Sequence, residues 1–333
     1  MKKILIFEPN SPQAQVLAKF IKKYSDYYIV GCVKEEIHFN RNNFNEIITS
    51  EFVSVNVRKY DYVLPMGANS TYITITKYKE FFYCNDMKFS IQNLVVFEKE
   101  KMLNIASNLG VPIPNTYYKL ECVEEYPIFY KEDFENGGGV RGVAVNMESV
   151  PTSTSLIYQE YIDTPSTYGM SFLAQDGKIL TYTLHKEIIS YPKDGGSSVV
   201  IESFADKRII DYTKEMLKEL NYNGWGLSEF KYCKKRDDFV FMEINGKFWA
   251  SIEFMLRENP QFLKYLLDIS YTKIETKRIL FINRLLQYEI RDILKNMKYL
   301  GNSFIAIESS LTYQVLRQCI PDNFVNRIKK FLQ

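Results

Sequence analysis

The sequence predicts a mixed α/β (α+β) chain in two styles, a small N-terminal unit built on a parallel sheet followed by a larger, mainly antiparallel lobe. Two observations predict it. Apolar, β-rich runs at Lys3–Phe7, Tyr28–Val33 and residues 62–65 alternate with helical segments up to about residue 90, the signature of βα units on a parallel sheet. Beyond about residue 126, β-like runs follow one another with turn residues between them, which calls for antiparallel pairing.

In the first unit, Ser11 and Pro12 supply an N-cap and a first-turn residue for a helix through Tyr24. No Gly-x-Gly-x-x-Gly turn follows the first strand, so dinucleotide binding there has little support. A short strand is expected over residues 94–97, then a helix over 98–109 closed by Gly110, with Pro112 preventing its continuation. This marks a hinge between units. Runs at 127–130 and 143–145 flank the loop Asn136-Gly137-Gly138-Gly139-Val140-Arg141-Gly142, which reads as a hairpin with a mobile glycine tip. Further strands are expected at 156–161, 169–174 and 179–185, the last two joined by the turn pair Asp176-Gly177, followed by a helix over 206–220. Residues beyond about 271 read as mixed helix and strand. The organisation is therefore 1–93, 94–270 with a smaller piece at about 115–160, and 271–333.

Length and charge narrow the function. At 333 residues the chain is long enough for two or three units and a cleft between them. Lys and Arg number 42 against 40 Asp and Glu, with no long basic run, which argues against nucleic acid as a partner. The five cysteines are scattered without metal or redox spacing and read as reduced and structural. The apolar run after the two N-terminal lysines is broken at once by Glu8 and Pro9, and no run of about 18 apolar residues follows, so neither a signal segment nor a membrane span is expected and a cytoplasmic protein is.

The most informative stretch is the strand pair 226–232 and 239–245. Strand alternation puts Glu243 and Asn245 on one face. If residues 234–238 form a five-residue loop pairing Cys233 with Phe239, Glu229 lies directly opposite Glu243, with Cβ atoms about 5 Å apart. Two opposed carboxylates among Phe, Met, Leu and Ile neighbours repel and lose hydration, a cost that a hard divalent cation removes. Two Glu and one Asn amide, all oxygen donors, suit Mg²⁺ or Mn²⁺ better than Zn²⁺. On spacing alone, a solvated face on which these carboxylates pair with Lys231 and Lys247 is an equal alternative.

The company of these residues decides between the two. Gly-Leu-Ser-Glu-Phe (226–230) followed by Met-Glu-Ile-Asn-Gly-Lys-Phe-Trp (242–249) resembles the strand pair of the ATP-grasp superfamily, in its carbamoyl-phosphate-synthetase-like branch of predicted carboxylate–amine ligases. The resemblance covers roughly residues 60–270. It implies the ATP-grasp fold: an N-terminal Rossmann-like domain, a small glycine-loop lid and a larger antiparallel ATP-binding lobe. It also implies that Glu229, Glu243 and Asn245 hold Mg²⁺ or Mn²⁺ against the phosphates of ATP. By the same resemblance Lys99 and Lys131 are ATP lysines. Gly138 and Gly139 belong to the lid over the phosphates, while Glu160, Tyr161 and Ile162 meet adenine. Lys131, which ends an apolar run, also needs an anionic partner on its own account. Arg141, at the tip of the glycine loop, Lys247, His185 and Lys186 are implied in catalysis, and Glu187, Gly196 and Ser197 in acceptor binding.

The sequence departs from the family at three places: Lys247 stands where Arg is usual, Glu187 where a basic residue is common, and Thr167-Tyr168 where many relatives have an acid for ribose. The implied activity is ATP-dependent joining of a small-molecule carboxylate (an amino acid, peptide or sugar acid) to an amine through an acyl phosphate, in a chain that could form a homodimer. A kinase that stops after phosphoryl transfer and a nucleotide-binding regulator are the alternative readings of the same residues.

Overall fold

A computed structural model describes residues 1–77, 82–84, 87–88, 91–134, 139–152, 155–192 and 196–308. The loop glycine Gly138, residues 193–195 and the stretch 309–333 of the C-terminal segment lie outside the described residues.

Strands β1 (Lys3–Phe7), β2 (Tyr28–Val33), β3 (Glu46–Thr49) and β4 (Tyr62–Leu64) form a parallel sheet in the order β3-β2-β1-β4. Helix α1 (Pro12–Tyr24) starts where the sequence places it, Ser11 Oγ accepting from the Ala14 N–H with Pro12 in the first turn. Helix α2 (Ala68–Lys77) follows β4, and β5 (Phe82–Cys84) pairs with β6 (Met87–Lys88). Residues 91–97 form a 3₁₀ segment and no strand appears over 94–97. Two anchors hold the tighter coil: the buried Asn93 amide donates to the Asn223 carbonyl at 2.5 Å, and Val96 and Phe97 fill an apolar cluster against the large sheet. Four apolar residues alone do not fix a β conformation. Helix α3 (Lys99–Asn108) ends in a Schellman turn, with Gly110 at φ +73° and its N–H on Ser107, and the Val111 N–H on Ala106.

A small antiparallel sheet, β7-β10-β8-β9, comprises β7 (Thr116–Tyr117), β8 (Ile128–Glu132), β9 (Arg141–Ala144) and β10 (Leu156–Glu160). The large sheet has the order β15-β14-β11-β12-β13-β16-β17. Its strands are β11 (Thr167–Gln175), β12 (Lys178–Tyr191), β13 (Ser197–Ser203), β14 (Gly224–Cys233), β15 (Asp238–Asn245), β16 (Arg278–Phe281) and β17 (Phe304–Ala306). Asp176 and Gly177, at φ +49° and +70°, make the two-residue turn between β11 and β12 that their sequence announces. Helix α4 (Lys207–Glu219), capped by Asp206, covers one face, with Thr213 Oγ1 bonded to Ser228 Oγ at 2.8 Å. Helices α5 (Ile252–Glu258) and α6 (Gln261–Leu267) belong to the apolar cluster that joins the large sheet to α1. The segment after residue 271 contributes β16, α7 (Ile282–Leu285), α8 (Ile290–Asn296) and β17.

The β12–β13 hairpin closes tightly. A Cβ on Gly196 would lie 2.0 Å from the Tyr191 carbonyl carbon and 2.2 Å from the Pro192 nitrogen and oxygen, all backbone atoms that cannot swing away. Gly196→Ala is therefore expected to cost about 1–3 kcal/mol of stability, read as a lowered urea midpoint with an unchanged slope.

Candidate active site

The strand pair β14–β15 carries the centre of the site, and its register combines two differences from expectation that cancel. The loop has four residues, 234–237, because Cys233 pairs with Asp238. A bulge then inserts Met242 between the pairs Phe230–Phe241 and Glu229–Glu243, which brings Glu229 opposite Glu243 after all. The bulge also frees the Met242 carbonyl, and Lys131 Nζ takes it at 3.1 Å while lying 3.3 Å from Glu243 Oε2. Asn245 Nδ2 donates to Glu229 Oε2 at 3.1 Å and to Glu243 Oε1 at 3.2 Å. Three oxygen-bearing side chains thus meet within hydrogen-bond distance, with an ammonium against one of them.

Electrostatics separate the two carboxyls. Burial, then the neighbouring Glu243 and Glu187, push Glu229 up to about 8. At Glu243 burial acts in the same sense, but Lys131 first, then Lys99 and Lys247, hold it well below the carboxylate range. Burial lowers the Lys131 ammonium, with Glu243 working against that shift. Glu229 and Glu243 are thus pushed in opposite directions, and positive charge beside them favours the ionised form of both. The donor set fits a hard cation: two carboxylates and an amide that presents Oδ1 once its last torsion turns. Among the described residues no group of three His, Cys, Asp or Glu side chains is arranged to hold a metal.

Lys131 reaches this point from the small sheet. Its strand neighbours across the sheet are Ile157 and Arg141, and Ile157 packs into the large lobe's core, so this face of the small sheet looks onto the large one. Gln159, on the same face, is buried; its Nε2 donates to Thr116 Oγ1 at 3.2 Å and its Oε1 has no hydrogen-bond partner. Nothing in the sequence marked Gln159 beyond strand alternation. Lys99, which looks like a solvated helix lysine in isolation, is only 7% exposed and acts electrostatically on both Lys131 and Glu243. Gly139 lies against Glu132 and Arg141 is exposed at the start of β9.

The hinge residues also have partners within the chain. The Glu160 carboxylate accepts the Asn115 N–H at 3.1 Å and pairs with Arg236, whose guanidinium also donates to the Ile113 carbonyl at 2.9 Å. Its side chain therefore braces the joint between α3, the small sheet and the β14–β15 loop. Ile162 is buried with Cys233 and Val240, its carbonyl accepting the Thr164 N–H at 2.8 Å; Tyr161 links the two.

On the large sheet, Glu229, Gly169 and His185 stand in one cross-strand row and share a face. A Cβ on Gly169 would lie 2.7 Å from His185 Nε2, so the glycine leaves room for the His185 ring to lie over its strand. Glu187 lies two residues along the same face. Burial raises its carboxyl, which Ser198 and Thr167 bond and Lys231 and Arg284 stabilise as the anion. Lys186 is the exception: strand alternation turns it to the opposite face, where its Nζ lies 5.7 Å from the Tyr168 ring centroid. Adjacent residues of one strand cannot both point to one face, and the structure brings His185 and not Lys186 to the face of Glu229. Gly196 and Ser197 sit at the β12–β13 turn, Ser197 opposite Tyr191, and Lys247 follows β15 close enough to act on both carboxyls. A cleft of about 1060 Å³ opens along Lys178–Leu184 and between α4 and α5, and its lining includes Phe254, whose ring lies edge-on to His185 at 6.1 Å.

Burial holds His185 neutral by lowering its imidazole to about 4. An unfolded histidine titrates near 6.5, so between about pH 6.5 and 4 the unfolded chain binds more protons and stability decreases as the pH is lowered. The contribution is complete above pH 6.5 and roughly 3 kcal/mol of it is lost by pH 4. In His185→Gln the drop in urea midpoint between pH 7 and pH 5 should shrink; an unchanged drop would exclude His185 as its source.

No protein-family model and no curated protein matches the chain. Solved structures do. N5-carboxyaminoimidazole ribonucleotide synthetase from Thermotoga maritima is similar over 83% of this chain and 78% of its own, with a TM-score of 0.61 at 14% identity. A biotin carboxylase complex with β,γ-ATP from Campylobacter jejuni is similar over 82% and 72%, with a TM-score of 0.62 at 15% identity. L-amino acid ligase from Bacillus licheniformis is similar over 80% and 74%, with a TM-score of 0.60 at 13% identity. No described helix is long and apolar enough to cross a membrane. With likenesses that run over four-fifths of the chain and sheets that bring Lys131 onto Glu243, the chain has the ATP-grasp fold.

Proposed function

We propose that the protein is an ATP-dependent carboxylate–amine ligase that forms an amide bond by way of an acyl phosphate and releases ADP and phosphate. The observation that carries this reading is the meeting of Glu229, Glu243, Asn245 and Lys131 between two sheets. Glu229, Glu243 and Asn245 would hold Mg²⁺ or Mn²⁺, which when bound neutralises the charge of the phosphates. Lys131 and Lys99 supply buried positive charge beside the same carboxylates, and Lys247 adds a third cation at the end of β15. The unpaired Gln159 Oε1, on the Lys131 face of the small sheet, asks for an N–H donor such as an exocyclic base amine. In the reaction the γ-phosphoryl group passes to a substrate carboxylate oxygen, the lysines and Arg141 offsetting charge that spreads over it. An amine then attacks the acyl carbon, loses a proton and expels phosphate. Packing of the small sheet onto the large one keeps water from the acyl phosphate. Glu187 and Lys231 put opposite charges beside the metal face, which suits a zwitterionic acid such as an amino acid, the substrate class named for the ligase from Bacillus licheniformis.

The test is ADP release from MgATP with a panel of amino acids, short peptides and uronic acids, each with and without candidate amines. Release of ADP and phosphate that requires both an acid and an amine supports the ligase. A phosphorylated product without free phosphate makes the protein a kinase, and absence of MgATP binding by calorimetry overturns the nucleotide site itself.

A further inference from the structure

Arg284 lies in α7, outside every strand that carries a candidate donor, and only 6% of it is exposed. Its guanidinium makes four hydrogen bonds. Nη1 donates to the Ser198 carbonyl at 2.5 Å, Nη2 to the Ala250 carbonyl at 2.8 Å and to Glu308 Oε1, and Nε to Glu308 Oε2 at 2.8 Å. The Phe281 ring lies 3.9 Å from the guanidinium carbon, and the Glu308 N–H donates back to Asn283 Oδ1 at 2.7 Å.

A buried guanidinium is tolerated only when its charge is neutralised and its donors are satisfied. Glu308 does the first, in a bidentate pair that is as buried as Arg284 itself. The remaining donors tie down two carbonyls, and these belong to the segments that flank the metal face on the side away from Lys131. Ser198 directly follows Gly196 and Ser197, and its hydroxyl bonds Glu187. Ala250 lies three residues after Lys247, at the entry to α5. One planar fork thus fixes the separation of the Glu187 side and the Lys247 side of the cleft.

Resting on the ligase reading, we infer that Arg284 is a positioning residue for the acceptor half of the site, and that Glu308 locks it in place, so that the segment after residue 271 completes the site. A lysine at 284 keeps the charge but cannot reach both carbonyls and both carboxylate oxygens.

Three variants test this: Arg284→Lys, Arg284→Met and Glu308→Gln, the last keeping the guanidinium and its two carbonyl bonds should either Arg284 variant fail to fold. Three readouts apply. Hydrogen exchange of amides 196–203 and 247–256 should accelerate at least tenfold in Arg284→Met, with β1–β4 and β8–β10 unchanged. The affinity for a non-hydrolysable MgATP analogue should stay within about twofold of wild type. With whichever acid and amine the wild-type enzyme turns over, the acceptor KM should rise tenfold or more while the ATP KM holds, and Arg284→Lys should recover part of the loss. Loss of analogue binding in step with acceptor KM, or acceptor KM and exchange both unchanged, overturns the inference. Wild-type protein that fails to bind the analogue overturns the ligase reading instead, so the two failures are distinguishable.

Discussion

Glu243→Ala should abolish ADP formation, by about 10³-fold or more in kcat, while the protein still folds. That factor corresponds to about 4 kcal/mol of transition-state stabilisation, in the range expected when a metal ligand on a transferring phosphoryl group is lost. The effect on stability should be small because two changes oppose each other. Removing the Glu243 carboxylate relieves the repulsion that, with burial, raises Glu229, but it also takes the anion from beside Lys131. Circular dichroism and thermal unfolding check the fold, and an ADP-coupled assay checks the chemistry. Turnover at the wild-type rate would remove Glu243 from the metal site. Asn245→Ala should act in the same direction but less strongly, since a neutral donor is lost and both carboxylates remain.

Lys131→Met should have the second-largest effect, because it disturbs both nucleotide binding and the resting site. Turnover should fall by about 10²–10³-fold as the buried charge nearest Glu243 disappears. Stability should fall as well, on the order of 3 kcal/mol at pH 7, since truncating one partner of a buried pair strands the other. The sign of its pH dependence is a further check. Without Lys131 the folded-state affinity of the carboxyl pair for protons rises, so the folded chain binds more protons than the unfolded one and the penalty shrinks as pH falls. The stability gap between wild type and Lys131→Met should therefore be narrower at pH 5 than at pH 7. A gap that widens on acidification would mean that Lys131 is not what holds Glu243 ionised.

Much of this architecture is legible in local sequence, and what is not has definite causes. Ser11-Pro12, Asp176-Gly177 and Gly110 each act through a single backbone or side-chain preference, and each does in the structure what it announces. The opposition of Glu229 and Glu243 was also reached, though through a five-residue loop where the chain has a four-residue loop and a bulge. Hairpin arithmetic cannot see a bulge, because nothing in Phe-Met-Glu marks which residue will leave the ladder. The conformation of 94–97 is set by Asn93 reaching across the chain to Asn223, which no local pattern carries. The ion pair between Arg236 and Glu160 is equally invisible to local pattern, its members being 76 residues apart. Lys186 shows the opposite case: resemblance grouped it with His185, while the period of two along a strand already forbids that both reach one face.

The Met242 bulge has a consequence for how this hairpin can be handled. Because the extra residue sits between the loop and the carboxylates, spacing errors introduced at the closed end need not propagate to the open end, where Gly246 and Lys247 lead into α5. The exposed turn at 234–237 is thus a place to graft a fluorophore-bearing cysteine or a short affinity sequence, between Lys234 and Lys235 so that Arg236 keeps its hold on Glu160. Such a graft would report from outside on any change in the ion pair that ties the turn to the hinge.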